Sequence, residues 1–145
     1  SDVCSSDLAY LEELVGHHVS GQLKVAPEQV NERILALIGK PDVDSLLEFK
    51  KQFERCTRQA GKKQFLTYYF IAAHPGCSEK DMFAVKRFAS EKLRIHPEQV
   101  QVFTPTPSTY STLMYVTEMN PFTGEKLFVE KNLAQKTKQK KVVTG

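Results

Sequence analysis

The sequence has no apolar run long enough to cross a bilayer. Near its start it has no charged, then apolar, then small-residue pattern of a signal peptide. These two absences make the cytoplasm the default expectation. Cysteine is scarce too. Cys4, Cys56 and Cys77 are the only three, and no two share C-x-x-C spacing. An odd count without a signal peptide argues against a disulfide framework. No local motif offers a three- or four-thiolate metal site. A strong charge of one sign is also missing. The net charge is +3, too mild to imply a nucleic-acid partner. The uneven stretch is C-terminal, where Lys126, Lys131, Lys136, Lys138, Lys140 and Lys141 stand against Glu130 alone after Glu125. It predicts a solvated, frayed terminal helix, with an RNA-contacting tail as the sharper alternative.

What remains is a chain of 145 residues, enough for one domain with a real core. Its first segment, Ser1–Leu8, has no Met and fits no element well. It matches, residue for residue, one reading frame of a common sequencing-adapter oligonucleotide. The expectation is that residues 1–8 are translated adapter, that Cys4 has no biological meaning, and that natural chain is missing upstream. The competing reading makes Asp7 the cap of a helix starting near Leu8.

A short helix is predicted over Ala9–Val15, stopped by Gly16. A strand, Gln22–Ala26, follows and is closed by Pro27. Helices come next at about Val30–Ile38, ended by Gly39, and about Val43–Ala60. The second has Leu46, Leu47, Phe49, Phe53, Cys56 and Ala60 at helical spacing, so Cys56 reads as buried and inert. Phe65–Ala72 is the strongest strand signal: aromatic, β-branched and uncharged, as in a strand covered on both faces. After His74-Pro75-Gly76, Ser78 and Asp81 suggest a capping box for a helix over Glu79–Leu93. Its buried stripe is Met82, Val85, Phe88, Ala89 and Leu93. A third strand, Val100–Thr104, a helix over about Thr109–Glu118 and a basic final helix complete the chain.

Strands alternating with helices imply βαβ units and a parallel sheet. Strand starts lie about 35 to 45 residues apart, as in barrels or doubly wound sheets. Three strands are too few to close a barrel, and alone they would leave an edge and much apolar surface exposed. In such folds chemistry sits at the carboxyl ends of strands. Here those ends are Pro27-Glu28, His74-Pro75-Gly76 and Thr104-Pro105-Thr106-Pro107. Alternation turns Gln22, Lys24 and Ala26 away from Leu23 and Val25, toward a lumen. Lys24 there must be ion-paired or used, because burying a lone ammonium is costly. Glu28 either accepts hydrogen bonds from a ligand or caps the helix near Val30. His74 is a ligand contact or a turn residue. Gly76 permits a positive φ or a close ligand approach. His17 and His18, at the amino end of the first strand, read as structural.

Three runs carry a family resemblance. They are His17–Glu28 (HHVSGQLKVAPE), Tyr69–Met82 (YFIAAHPGCSEKDM) and Gln99–Thr109 (QVQVFTPTPST), the last continuing through Met114-Tyr115 to Asn120-Pro121. In this order and spacing, the chain resembles the YgiQ-type family of radical S-adenosylmethionine (radical SAM) proteins from about Tyr10 onward. The resemblance implies an α/β fold: the C-terminal half of a partial (βα)6 radical-SAM barrel, three parallel strands with covering helices. Residues 9–120 would be that part of the barrel, and 121–145 a basic extension. It implies S-adenosylmethionine and a [4Fe–4S] cluster held by a C-x-x-x-C-x-x-C loop, which this sequence lacks. In the whole enzyme the cluster would deliver an electron and a 5′-deoxyadenosyl radical would form. By position, Lys24 and Glu28 would lie near the ribose or methionine part of S-adenosylmethionine. His74 and Gly76 would border the adenine or substrate side, and Gln101 and Phe103 would pack by the adenine. The missing partner would be the N-terminal half of the same barrel. Two other classes compete: a Schiff-base lyase with Lys24 as nucleophile, and an RNA-binding module led by the basic tail.

Overall fold

The uncharged run Phe65–Ala72 forms the middle strand, β2, of a three-stranded sheet. The computed structural model describes Glu13 and residues 21–145. The expected Ala9–Val15 helix, the 1–8 segment and His17 and His18 lie outside the described residues, but for Glu13. β1 (Gln22–Glu28) and β3 (Gln99–Val102) flank β2, and both pairings are parallel. Between them run α1 (Glu32–Ile38), α2 (Val43–Gln59) and α3 (Glu79–Phe88), whose last turn widens into a π-helical turn over Ala89–Leu93. α4 (Tyr110–Thr117) and α5 (Leu133–Thr144) follow β3. The expected α/β class with a parallel sheet and covering helices is thus observed.

Local chemistry fixes the boundaries. Asn31 caps α1, its side-chain oxygen accepting from the Arg33 and Ile34 amides. Gly39 ends the same helix at φ 80°, a conformation that costs a glycine little. Asp42 caps α2 through the Ser45 amide. Asp81 Oδ2 accepts from the Ser78 amide at 2.9 Å, as the capping-box spacing requires, while its Oδ1 accepts from Asn31 Nδ2 at 3.0 Å. One carboxylate therefore joins the starts of α1 and α3.

Two strand expectations are corrected. β1 does not stop at Pro27 but runs through it to Glu28, with an irregular register between Val25 and Glu28. Among the described residues β1 is an edge strand, where a missing N–H is tolerated. Among the described residues β2 is fully covered on one face only. Leu66, Tyr68, Phe70 and Ala72 are buried, while the residues between them are half-buried. Its continuous apolar run conceals an alternation that neighbouring strands reveal.

The core lies on one side of the sheet. Leu66, Tyr68, Phe70, Ala72 and Val100 meet Ile34, Phe53, Cys56, Met82, Val85, Leu93 and Val143 there. Cys56 is buried, as its helical position predicts.

The solvated terminal helix is also corrected. α5 is seated on α3, β2 and β3, and Val143 is fully buried. It is held by more than apolar contact. Gln139 is 2% exposed, accepting from the Ala73 amide at 2.9 Å and donating to the Cys77 carbonyl at 3.2 Å. The lysine count hid this, because the buried positions are single residues spaced among charged ones.

Candidate ligand-binding face

Because every residue of the core cluster on the strands has one parity, the other parity forms an open face. Register aligns Lys24 with Thr67, Tyr69 with Gln99, and Ile71 with Gln101. Gln22, Lys24, Ala26, Thr67, Tyr69, Ile71, Gln99 and Gln101 thus share the sheet face opposite the described helices, with Thr67, Tyr69 and Ile71 half-buried on it. A groove of about 560 Å³ lies along it, lined by Lys24, Tyr69, Gln99 and Gln101, with Glu98 and Lys140 also on its wall.

Lys24 is exposed on this face, and has no ion pair among the described residues. Lys24 and Gln101, separated by about half of the chain, therefore meet in one groove. Tyr69 and Gln99 join them in the groove and Thr67 lies on the same sheet face beside Lys24; none of the three was singled out from sequence. Parity counted back from Gln101 finds Gln99. The apolar run of β2 gives no parity for Thr67 or Tyr69.

The carboxyl ends of the strands carry the remaining candidates. Glu28 does not cap α1; Asn31 does. Glu28 has φ 68° and its carboxylate lies 3.8 Å from Lys40 Nζ. Phe103 continues β3, its amide donating to the Ala72 carbonyl at 2.8 Å, and its parity matches Gln101. The His74 ring meets Phe103 edge-on, with centroids 5.1 Å apart. Phe103 in turn lies 5.8 Å from the Tyr115 ring on α4.

His74 is 2% exposed and both ring nitrogens are engaged. Nδ1 lies 3.0 Å from the Pro75 carbonyl oxygen, which can only accept, so Nδ1 carries the proton. Nε2 is then the acceptor for the Ser111 hydroxyl at 2.9 Å. Burial holds the ring below its ordinary pKa, against a smaller upward pull from the Pro75 contact. His74 is therefore neutral at pH 7. Gly76 has φ 90°, which accounts for the glycine. Its close neighbour is protein: a Cβ there would lie 3.2 Å from Leu37 Cδ1. Its amide donates to the Phe128 carbonyl at 2.7 Å.

The two described cysteines sit on the covered side. Cys77 Sγ accepts from Gln29 Nε2 at 3.3 Å and donates to Gln139 Oε1 at 3.5 Å. Burial, reinforced by the Asp81 carboxylate, pushes its thiol up to about 12. No group of three or more His, Cys, Asp or Glu side chains suited to a metal occurs among the described residues. An iron–sulfur cluster needs thiolates gathered at one point. Cys56 and Cys77, buried in the core and outside any ligand spacing, do not fit one. No described helix is long and apolar enough to cross a membrane.

The geometry defines a class: a parallel α/β unit with helices on one face and a polar groove on the other. Comparison with known proteins narrows this. Over 135 residues, 93% of its length, the chain is 61% identical to UPF0313 protein FN0734 of Fusobacterium nucleatum, and spans 24% of that protein. It is 42% identical over 142 residues to a UPF0313 protein of Methanosarcina acetivorans, covering 96% of this chain and 19% of the relative. A UPF0313 protein of Thermotoga maritima is 42% identical over 134 residues, covering 92% of this chain and 24% of the relative. The chain thus spans about a fifth to a quarter of the length of the curated relatives it matches. No family model matches it.

Proposed function

We propose that this chain supplies three adjacent strands of a (βα)6 radical S-adenosylmethionine barrel, and that its open sheet face lines the cofactor pocket. The observation that carries this reading is the one-sided cover of the sheet among the described residues. A parallel sheet has both faces buried when complete. Here a groove lined by Lys24, Tyr69 and Gln101 occupies the uncovered face. The relatives' greater length is consistent with further polypeptide enclosing it.

In this reading Lys24 supplies a cation and Gln101 supplies amide donors and an acceptor toward the polar groups of S-adenosylmethionine. Tyr69 offers an aromatic face, and Glu28 stands at the rim near the ribose. Phe103, braced by His74, borders the adenine side. Gly76, at φ 90°, lets the His74 loop make its turn on that side. The [4Fe–4S] cluster is held by polypeptide outside this sequence, since Cys56 and Cys77 do not fit it. Bound there, such a cluster would supply the reducing electron for S-adenosylmethionine cleavage. The part played by this chain's residues is to orient the cofactor and exclude water.

The test uses the full-length protein, reconstituted anaerobically with iron and sulfide and reduced. The reading expects a [4Fe–4S] electron paramagnetic resonance signal that changes on adding S-adenosylmethionine. A protein that binds no cluster, or whose signal ignores S-adenosylmethionine, defeats it.

A further inference from the structure

Lys136, on α5, is 8% exposed, yet no carboxylate of the described residues lies within ion-pair distance of its ammonium. Its hydrogen-bond partner is neutral: Nζ donates to the Tyr115 hydroxyl oxygen at 2.7 Å. An ammonium has three N–H donors, so two remain unassigned among the described residues. The Tyr115 hydroxyl has its own proton to donate, and no described group accepts it. A second cation, Lys131 Nζ, lies 5.3 Å from the Tyr115 ring centroid. Lys131 reaches only a long, exposed contact with Glu118 at 4.0 Å. Burying an uncompensated charge is costly. Both ammonium groups lie over the Tyr115 ring, Lys136 Nζ 4.6 Å and Lys131 Nζ 5.3 Å from its centroid, so the ring offsets part of the buried charge while no described anion does.

The location is specific. Tyr115 lies against Phe103, and Phe103 against His74. The pair of lysines therefore sits beyond the carboxyl ends of β2 and β3, where parallel α/β proteins bind ligands. We propose that Lys136, Tyr115 and Lys131 form a binding site for an oxyanion group, a phosphate or a carboxylate, carried by a ligand at the carboxyl ends of the strands. The anion supplies the missing counter-charge and accepts from Lys136 Nζ and the Tyr115 hydroxyl. Lys131 contributes at longer range, with its weaker bond to Glu118 exchanged for the ligand. This assignment is independent of S-adenosylmethionine: inorganic phosphate binding is measured without that cofactor, so either reading can fail alone.

The experiment titrates inorganic phosphate into the full-length protein at fixed ionic strength, with acetate and chloride as the other arms. Thermal unfolding and calorimetry are followed for the wild type, Lys136→Met, Tyr115→Phe and Lys131→Ala. The expected result is a saturable rise of the wild-type unfolding midpoint with phosphate, or with acetate where the natural ligand is a carboxylate. Lys136→Met is expected to lose at least tenfold in affinity and to be no less stable than the wild type in chloride. Tyr115→Phe and Lys131→Ala are expected to weaken binding by smaller factors. If both anions act on the wild type as chloride does, the site is overturned. It is equally overturned if Lys136→Met responds like the wild type. Should Lys136→Met fail to fold, an undiminished response in both Tyr115→Phe and Lys131→Ala overturns it instead.

Discussion

The side-chain oxygen of Gln139 accepts the Ala73 amide hydrogen at 2.9 Å, which ties the last helix to the end of the middle strand. The same amide group donates to the Cys77 carbonyl, so one side chain satisfies both ends of the His74 loop. Replacing it leaves buried backbone groups without partners, at about 1–3 kcal/mol for each. Gln139→Ala is expected to lower the stability of the full-length protein by about 2–6 kcal/mol in urea unfolding. A loss within about 0.5 kcal/mol, the range of an ordinary surface substitution, would mean that α5 is not docked this way.

The two faces of the sheet should respond oppositely to substitution. Leu66 is buried against the helices, so Leu66→Ala is expected to cost about 2–5 kcal/mol. Lys24, one face away, is exposed, so Lys24→Met is expected to change stability by under about 0.5 kcal/mol. Parallel urea melts of the two variants check this. Equal losses would contradict the assignment of faces.

His74 and Cys77 make stability depend on pH at both ends of the scale. Burial lowers the His74 pKa below its ordinary 6.5, so the unfolded chain takes up the proton first. That contribution is complete above about pH 6.5 and is lost as pH falls below it. Cys77 is raised from 9.0 to about 12, so the unfolded thiol ionises first and stability falls between those values. His74→Gln is expected to flatten the acid limb, and Cys77→Ala the alkaline limb. Melting temperature against pH for the three proteins measures both. A wild-type acid limb retained in His74→Gln would remove His74 as its source.

Much of the fold was legible because local chemistry set it. Ser78 with Asp81, Gly39 before Pro41, and the aromatic-rich, uncharged run Phe65–Ala72 each mark a boundary that the structure keeps. Strand and helix alternation was enough for the parallel sheet. The burial of Lys136, Gln139 and Val143 was not legible, because it depends on what α5 meets and not on its composition. Half of the candidate face was readable. Alternation around Lys24 places it opposite Leu23 and Val25, while Gln101 is reached through the family resemblance. Thr67 and Tyr69 were not, since a run of apolar residues has no visible period. Glu28 was misread as a possible cap because Asn31, the better acceptor, stands three residues further on.

The most direct measurement is the affinity of the cluster-reconstituted full-length protein for S-adenosylmethionine when the open face is altered. Equilibrium dialysis with labelled cofactor would compare the wild type with Lys24→Met, Gln101→Leu and the double variant. Each single change is expected to weaken binding by about tenfold, or about 1.4 kcal/mol, with the cluster's spectrum unchanged. Wild-type affinity in the double variant would show that the open face is not where the cofactor sits.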